Sequence, residues 1–95
     1  MSKIKNNSTD RLFEAMMKFE TIDEFYQFFE DLCTIKEIKE MSQRLDIAFL
    51  LKEKLSYLEI SNRTGASTTT ISRINRCLNY GSDGYELAMS KLDEN

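Results

Sequence analysis

Apolar side chains recur at helical spacing along most of this chain, with polar residues between them. A Ser, Thr or Asp followed three residues later by Glu can cap a helix start reciprocally, and this pair recurs. The pairs begin at Thr21, Thr34, Ser56 and Asp83. Pattern and caps predict helices over about 10–18, 22–32, 35–54, 57–64, 68–79 and 84–92. The chain has no proline and no strand-like run between turn signals, so the predicted class is all-α.

The segment from Tyr57 to Asn79 predicts a helix-turn-helix. Gly65 stands where the first helix must stop and reverse, a place for a left-handed backbone conformation. Ser67 can cap the helix that follows. The apolar residues that would pack the two helices together are Ile60, Ala66, Ile71 and Ile74. The second helix of such a unit enters the DNA major groove, although an ordinary helical hairpin with a polar outer face is the alternative.

The exposed face of this unit carries hydroxyl groups and cations. Small hydroxyl side chains allow close approach to base edges, and arginines contact phosphates. The residues predicted to bind DNA on this face are Thr68, Thr69, Ser72, Arg73 and Arg76.

The net charge of −3 argues against nucleic-acid binding, but the distribution of the charge along the chain changes this interpretation. Residues 52–79 carry five Lys or Arg and two Asp or Glu, a local charge of +3, whereas residues 1–51 and 80–95 each carry −3. The positive charge therefore coincides with the predicted DNA-reading unit, as phosphate contact requires. This distribution adds Lys54 and Arg63 to the candidate DNA-binding residues. Since the charge is modest, we expect two copies to engage one site.

The first half of the chain is richer in large apolar side chains than a lone hairpin needs. Between Ile22 and Leu32 the predicted helix is apolar around most of its girth, so one neighbouring helix would not cover it. We therefore predict an intertwined homodimer, in which the first three helices interlock with a second copy. A monomeric bundle is the alternative.

The predicted organisation is a single domain over residues 10–95 that follows a flexible arm. Residues 1–9 are polar and basic, and Ser8 or Thr9 would start the first helix. No stretch approaches the ~20 apolar residues of a membrane span, and the N-terminus lacks the apolar run of a signal peptide. These features predict a cytoplasmic protein with no membrane partner.

Residues suited to catalysis or metal binding are scarce. The chain has no histidine, and its two cysteines cannot make a zinc site of the usual composition, so we expect no metal and no cofactor. Cys33 and Cys77 are each predicted to be buried, unpaired thiols of a reducing compartment. Two other functions stay open: a helical protein-interaction module, and a small helical enzyme of the chorismate mutase type. In that enzyme Arg11, Arg44 and Arg63 would converge on an anionic substrate.

One resemblance rests on two runs, EIKEMSQRLDIAFLLK and KEKLSYLEISNRTGASTTTISRINRCLNYGSDGYELAMSKL. Its most specific part is GASTTTISRINRCLNYG. These runs resemble the trp repressor superfamily and, within it, the TrpR-related YerC/YecD family. The resemblance implies a six-helix TrpR-like fold in an intertwined homodimer, and a DNA-binding transcriptional regulator whose fourth and fifth helices read DNA. It also implies that Thr70 faces base edges and nearby phosphates, together with Thr68, Thr69 and Ser72.

The resemblance further implies an effector site. The trp repressor holds tryptophan between two arginines, and Arg44 and Arg73 match them by position. Two departures argue against tryptophan here. Ile74 stands where the repressor has a glycine and would fill the space of the indole, and Cys77 replaces a serine that is a better hydrogen-bond partner. We therefore expect no tryptophan corepressor, and whether another effector binds at Arg44, Arg73 and Cys77 stays open.

Overall fold

The computed structural model describes residues 2–94, and within them it contains helices and no strand. The helices are α1 (Asn7–Met17), α2 (Ile22–Leu32), α3 (Ile35–Lys52), α4 (Tyr57–Thr64), α5 (Thr68–Tyr80) and α6 (Gly84–Asp93). The all-α class is therefore confirmed. The predicted bounds of α2 and α4 are reproduced, while α3 ends two residues early because the chain turns at Lys54, whose φ is 69°.

Side chains cap several of the helix starts by hydrogen bonding to backbone N–H groups. Thr34 and Glu37 form the complete reciprocal pair: the Glu37 N–H donates to Thr34 Oγ1 over 3.1 Å, and the Thr34 N–H donates to Glu37 Oε1 over 2.8 Å. Backbone N–H groups also donate to the side chains of Thr21 and Ser56, as predicted. These side chains satisfy N–H groups that have no partner within a helix.

One predicted helix start was wrong, and one predicted cap makes no hydrogen bond. The first helix begins at Asn7, and its cap is Asn6, whose Oδ1 accepts from the Thr9 N–H over 2.8 Å. An asparagine caps as well as a threonine, so the predicted start lay too far along the chain. Asp83 lies in the left-handed region, with φ 63°, and makes no side-chain cap hydrogen bond. In that conformation its carboxylate does not reach the first free N–H groups of α6.

The helices form two compact units, the first ending at Ile38 and the second beginning at Lys39. The first unit holds a cluster of phenylalanines: Phe19 makes edge-on contacts with Phe25 and Phe28, with ring centroids 4.8 and 5.4 Å apart. No side chain between residues 2 and 38 is buried, however. The single domain and the flexible arm remain predictions.

The second unit has a buried core. Side chains from α3, α4, α5 and α6 and from the α4–α5 turn contribute to it. They are Ile47, Ala48, Ile60, Ala66, Ile71, Ile74 and Met89. All four apolar residues predicted to pack α4 against α5 are among them, which fixes those two helices around the turn.

The prediction that the two cysteines are unpaired was correct, and the prediction that they are buried was wrong. Both thiols are free, but Cys33 is only partly buried and Cys77 is exposed. The buried stripe of α5 runs through Ile71, Ile74 and the partly buried Leu78. Cys77 lies about 100° around the helix from Leu78 and so falls off this stripe.

Candidate nucleic-acid interface

Hydrogen bonds within the helix-turn-helix, and one from α3, stabilise the turn between α4 and α5. Gly65 has φ 78°, in the left-handed region, and its N–H donates to the Ser61 carbonyl over 2.8 Å. The Ser61 hydroxyl donates to the Ala66 carbonyl over 2.8 Å, which explains the need for a small polar residue there. From α3, the Gln43 side-chain amide donates to the Thr64 carbonyl over 2.9 Å. The sequence analysis missed Gln43, because no local pattern links it to a turn 21 residues away.

The start of α5 is capped as predicted. The Ser67 hydroxyl accepts from the Thr70 N–H over 3.1 Å, and it also lies 3.1 Å from Thr70 Oγ1. The Thr70 side chain is therefore half-buried and engaged with the cap. Within residues 2–94, it is the one hydroxyl of the predicted DNA-binding set that has a hydrogen-bond partner.

A cavity of about 480 Å³ lies beside α4 and α5. Every side chain that lines it carries a hydroxyl or a guanidinium group. They are Tyr57, Thr68, Thr69, Ser72, Arg73 and Arg76. Within residues 2–94, none of these six side chains has a hydrogen bond or an ion pair with another part of the chain. The structure thus gathers the five residues predicted for this face and leaves their polar groups available to a ligand.

Tyr57 was missed by the sequence analysis. It is the first residue of α4 and stands three residues before the buried Ile60, so its ring packs partly against the core. A tyrosine at the margin of an apolar stripe has a buried body and a polar tip, which is the signal that could have identified it. The remaining candidates, Lys54 and Arg63, are exposed but do not line the cavity.

Lys52, one of the five cations of the basic segment, forms an ion pair. The Lys52 Nζ lies 2.7 Å from Glu86 Oε1, so α6 partly neutralises the charge at the end of α3. This pair weakens the charge argument made from the sequence, because the acidic C-terminal segment offsets part of the basic segment. The charge that faces the cavity is that of Arg73 and Arg76.

Of the candidate effector residues Arg44, Arg73 and Cys77, Arg73 lines the cavity beside α4 and α5. Ile74 is 4% exposed and belongs to the core, as its apolar position predicted. The pKa of Tyr85 is raised by partial burial and by the nearby Cys77 thiol, and Arg44 opposes this rise. An effector site at Arg44, Arg73 and Cys77 therefore remains a prediction. Arg44 also pairs with Glu40 on its own helix, at 3.8 Å.

Residues 2–94 contain no group of three His, Cys, Asp or Glu residues that could hold a metal ion. None of the helices described here has the length and apolar character needed to cross a membrane. Arg11 lies on α1, Arg44 on α3 and Arg63 on α4.

The chain has an all-α, TrpR-like fold, as two crystal structures show. The structure of a TrpR-like protein from Eubacterium eligens ATCC 27750 matches with a TM-score of 0.90 at 49% identity, over 97% of this chain and 95% of that one. A Staphylococcus aureus protein, described as a candidate Trp repressor, matches with a TM-score of 0.89 at 41% identity, over 98% and 93% of the two chains.

The sequence comparisons agree with this fold. The family model of the Trp repressor protein matches residues 7–93. YerC of Bacillus subtilis strain 168, described as an uncharacterized protein, is 46% identical over 94 residues, which cover 99% of this chain and 90% of YerC. The chain therefore belongs to the Trp repressor family, among its YerC-like members, and the resemblance seen in the sequence is confirmed. This is a family of DNA-binding regulators and not of enzymes.

Proposed function

We propose that this protein is a sequence-specific transcriptional regulator, acting as a repressor, that binds double-stranded DNA through a helix-turn-helix formed by α4 and α5. The observation that carries the proposal is the cavity in which free hydroxyls stand beside Arg73 and Arg76. Hydroxyl groups can donate to or accept from base edges, and guanidinium groups bind phosphates. Since the DNA that it binds would be chromosomal, the protein would act in the cytoplasm.

The proposal includes a homodimer. Met17 is 81% exposed in the single chain, and Ile22 and Ile35 are each 74% exposed. Exposed apolar side chains at this density favour association with another protein surface. A second copy would cover them and would also double the modest positive charge presented to DNA. Two reading units would then meet half-sites about one helical turn apart, so the expected operator is palindromic.

No small-molecule corepressor is part of the proposal. The Ile74 side chain is in the core of the α4–α5 unit, which supports the expectation that no indole ring enters beside it.

Selection of bound duplexes from random and genomic DNA tests this function. The full-length protein should enrich a palindromic motif. Replacing Ser72 in the cavity by glutamate (S72E) should abolish enrichment, because the carboxylate would repel phosphates and obstruct base edges. The matched control is S90E, since Ser90 is exposed on α6 and lies outside the cavity.

Two outcomes would contradict the proposal. One is that no motif is enriched and that every duplex binds more weakly than ordinary non-specific binding at low salt. The other is that S90E impairs enrichment as much as S72E does, because the cavity would then have no special role. In either case a helical protein-interaction module becomes the leading interpretation.

A further inference from the structure

Tyr57 differs from the other residues of the cavity. It is the one lining residue that belongs to α4, and its ring packs against the core cluster while its side chain also lines the cavity. The packing restricts the ring, so the position of the hydroxyl is fixed by the fold. No group among residues 2–94 forms a hydrogen bond with that hydroxyl. Tyr57 therefore offers a preorganised and unused hydrogen-bond donor.

The positive charge of the cavity favours a DNA phosphate over a base edge as the group that binds there. Arg73 and Arg76 both line the cavity, and none of the described residues in the lining carries a carboxylate. Base edges present neutral donors and acceptors, whereas each phosphate carries a full negative charge. In addition, the first helix of a helix-turn-helix crosses the DNA backbone, while the second enters the major groove. A residue at the start of α4 is thus placed for the backbone.

We infer that Tyr57 donates a hydrogen bond to a DNA phosphate oxygen in this cavity, beside Arg73 and Arg76. The inference rests on the proposed function and deepens it, because it names the chemical group bound at the α4 end of the cavity. Tyr57 would help to position the duplex so that Thr68, Thr69 and Ser72 meet the bases.

The salt dependence of binding provides the test. A cation that contacts phosphate releases counterions, so its loss lowers the slope of log affinity against log salt, whereas a neutral hydroxyl releases none. The Tyr57→Phe variant keeps the packed ring and removes the donor. We expect it to lose about tenfold in affinity per half-site, the value of roughly one hydrogen bond to a charged group. This loss should be the same for the selected operator and for random duplex, with an unchanged salt slope.

Two variants calibrate the measurement, which is made by fluorescence anisotropy over a range of salt concentrations. Arg76→Gln should also weaken both duplexes, but it should lower the slope by about one unit per cation lost. Tyr80→Phe makes the same chemical change at an 86% exposed tyrosine outside the cavity and should alter neither affinity nor slope. Equal melting temperatures for the wild type and the two phenylalanine variants would exclude a change in folding.

Each remaining outcome overturns the inference in a recognisable way. Unchanged affinity of Tyr57→Phe for both duplexes would show that the hydroxyl makes no contact. A loss confined to the operator would assign the hydroxyl to a base edge instead of a phosphate. If the wild-type protein itself bound no duplex, the proposed function would fail, and this result is distinct from a failure at Tyr57 alone.

Discussion

The side-chain amide of Gln43 donates a hydrogen bond to the backbone carbonyl of Thr64 over 2.9 Å, and it thereby joins α3 to the end of α4. Thr64 is the last residue of α4, so its carbonyl has no partner within the helix. The bond is partly buried. It satisfies an acceptor at the turn on which the proposed DNA-reading unit depends.

Removing this bond should destabilise the protein. We expect Gln43→Ala to lower the free energy of unfolding by about 1 kcal/mol, since the Thr64 carbonyl would lose its donor at a partly buried position. Urea denaturation followed by circular dichroism measures this change. Gln27→Ala is the control, because Gln27 is an exposed residue in the interior of α2. Equal stability of the two variants would show that the hydrogen bond contributes nothing.

Replacing Gly65 should destabilise the protein through the backbone conformation of that residue alone. Its φ is 78°, and a Cβ placed there would meet no atom within 4 Å. The expected cost of Gly65→Ala is therefore the left-handed backbone penalty of about 1–2 kcal/mol, with no steric clash added. Gly84 also has open space around a Cβ but begins α6 without a positive φ. Gly84→Ala should consequently be neutral or slightly stabilising. Thermal melts of both variants measure the difference, and a reversed order would contradict the conformational argument.

Features set by neighbouring residues could be predicted from the sequence, and features set by distant residues could not. The Thr34–Glu37 cap and the left-handed Gly65 follow from residues within one helical turn. The Gln43–Thr64 bond and the Lys52–Glu86 pair join residues 21 and 34 positions apart, and no pattern in the chain marks them. The same limit applies to the candidate site.

The candidate site shows this limit at individual residues. Helical periodicity placed Thr69, Ser72 and Arg76 on one face, and the structure gathers them in one cavity. Periodicity could not show that Tyr57 reaches the same cavity, because that depends on how α4 crosses α5. It also could not show that the Thr70 hydroxyl is engaged by its neighbour Ser67.

The cap of α3 should make stability depend on pH. Hydrogen bonds from the Thr34 backbone N–H and side chain hold the pKa of Glu37 below its ordinary value of 4.5. A carboxyl group whose pKa is lower in the folded state stabilises that state above its unfolded pKa, and the contribution is lost as the pH falls through the folded pKa. We expect wild type to exceed Glu37→Gln in stability at neutral pH and the two to converge as the pH falls below 4.5 and through the folded pKa.

Thermal melts of both proteins between pH 3 and 7 would measure this convergence. Glu30→Gln controls for the loss of one negative charge on an exposed helical surface. A gap between wild type and Glu37→Gln that stayed constant over the whole range would disprove the titration argument.

The homodimer predicts a specific response to charge in the apolar surface of α2. Ile22 is 74% exposed in the single chain, so a glutamate there would be harmless to a monomer. If a second copy covers this surface, Ile22→Glu would bury a charge and should shift the protein toward monomer. Sedimentation at micromolar concentration should give about twice the chain mass for wild type and a lower average mass for the variant. Gln27→Glu makes the same charge change on the same helix at a polar position, and a monomeric wild type would refute the interlocked architecture.

Free L-tryptophan should not stabilise the protein. Ile74 is 4% exposed within the core of the second unit, and we expect its side chain to occupy the space that an indole would need. A ligand that binds only the folded state raises stability by mass action, by about 2.7 kcal/mol at a hundredfold excess over its Kd. Thermal melts with millimolar L-tryptophan should therefore match melts with L-leucine, which controls for non-specific effects of an amino acid. A rise in melting temperature with tryptophan alone would show that Ile74 does not block the site and that the protein responds to the corepressor after all.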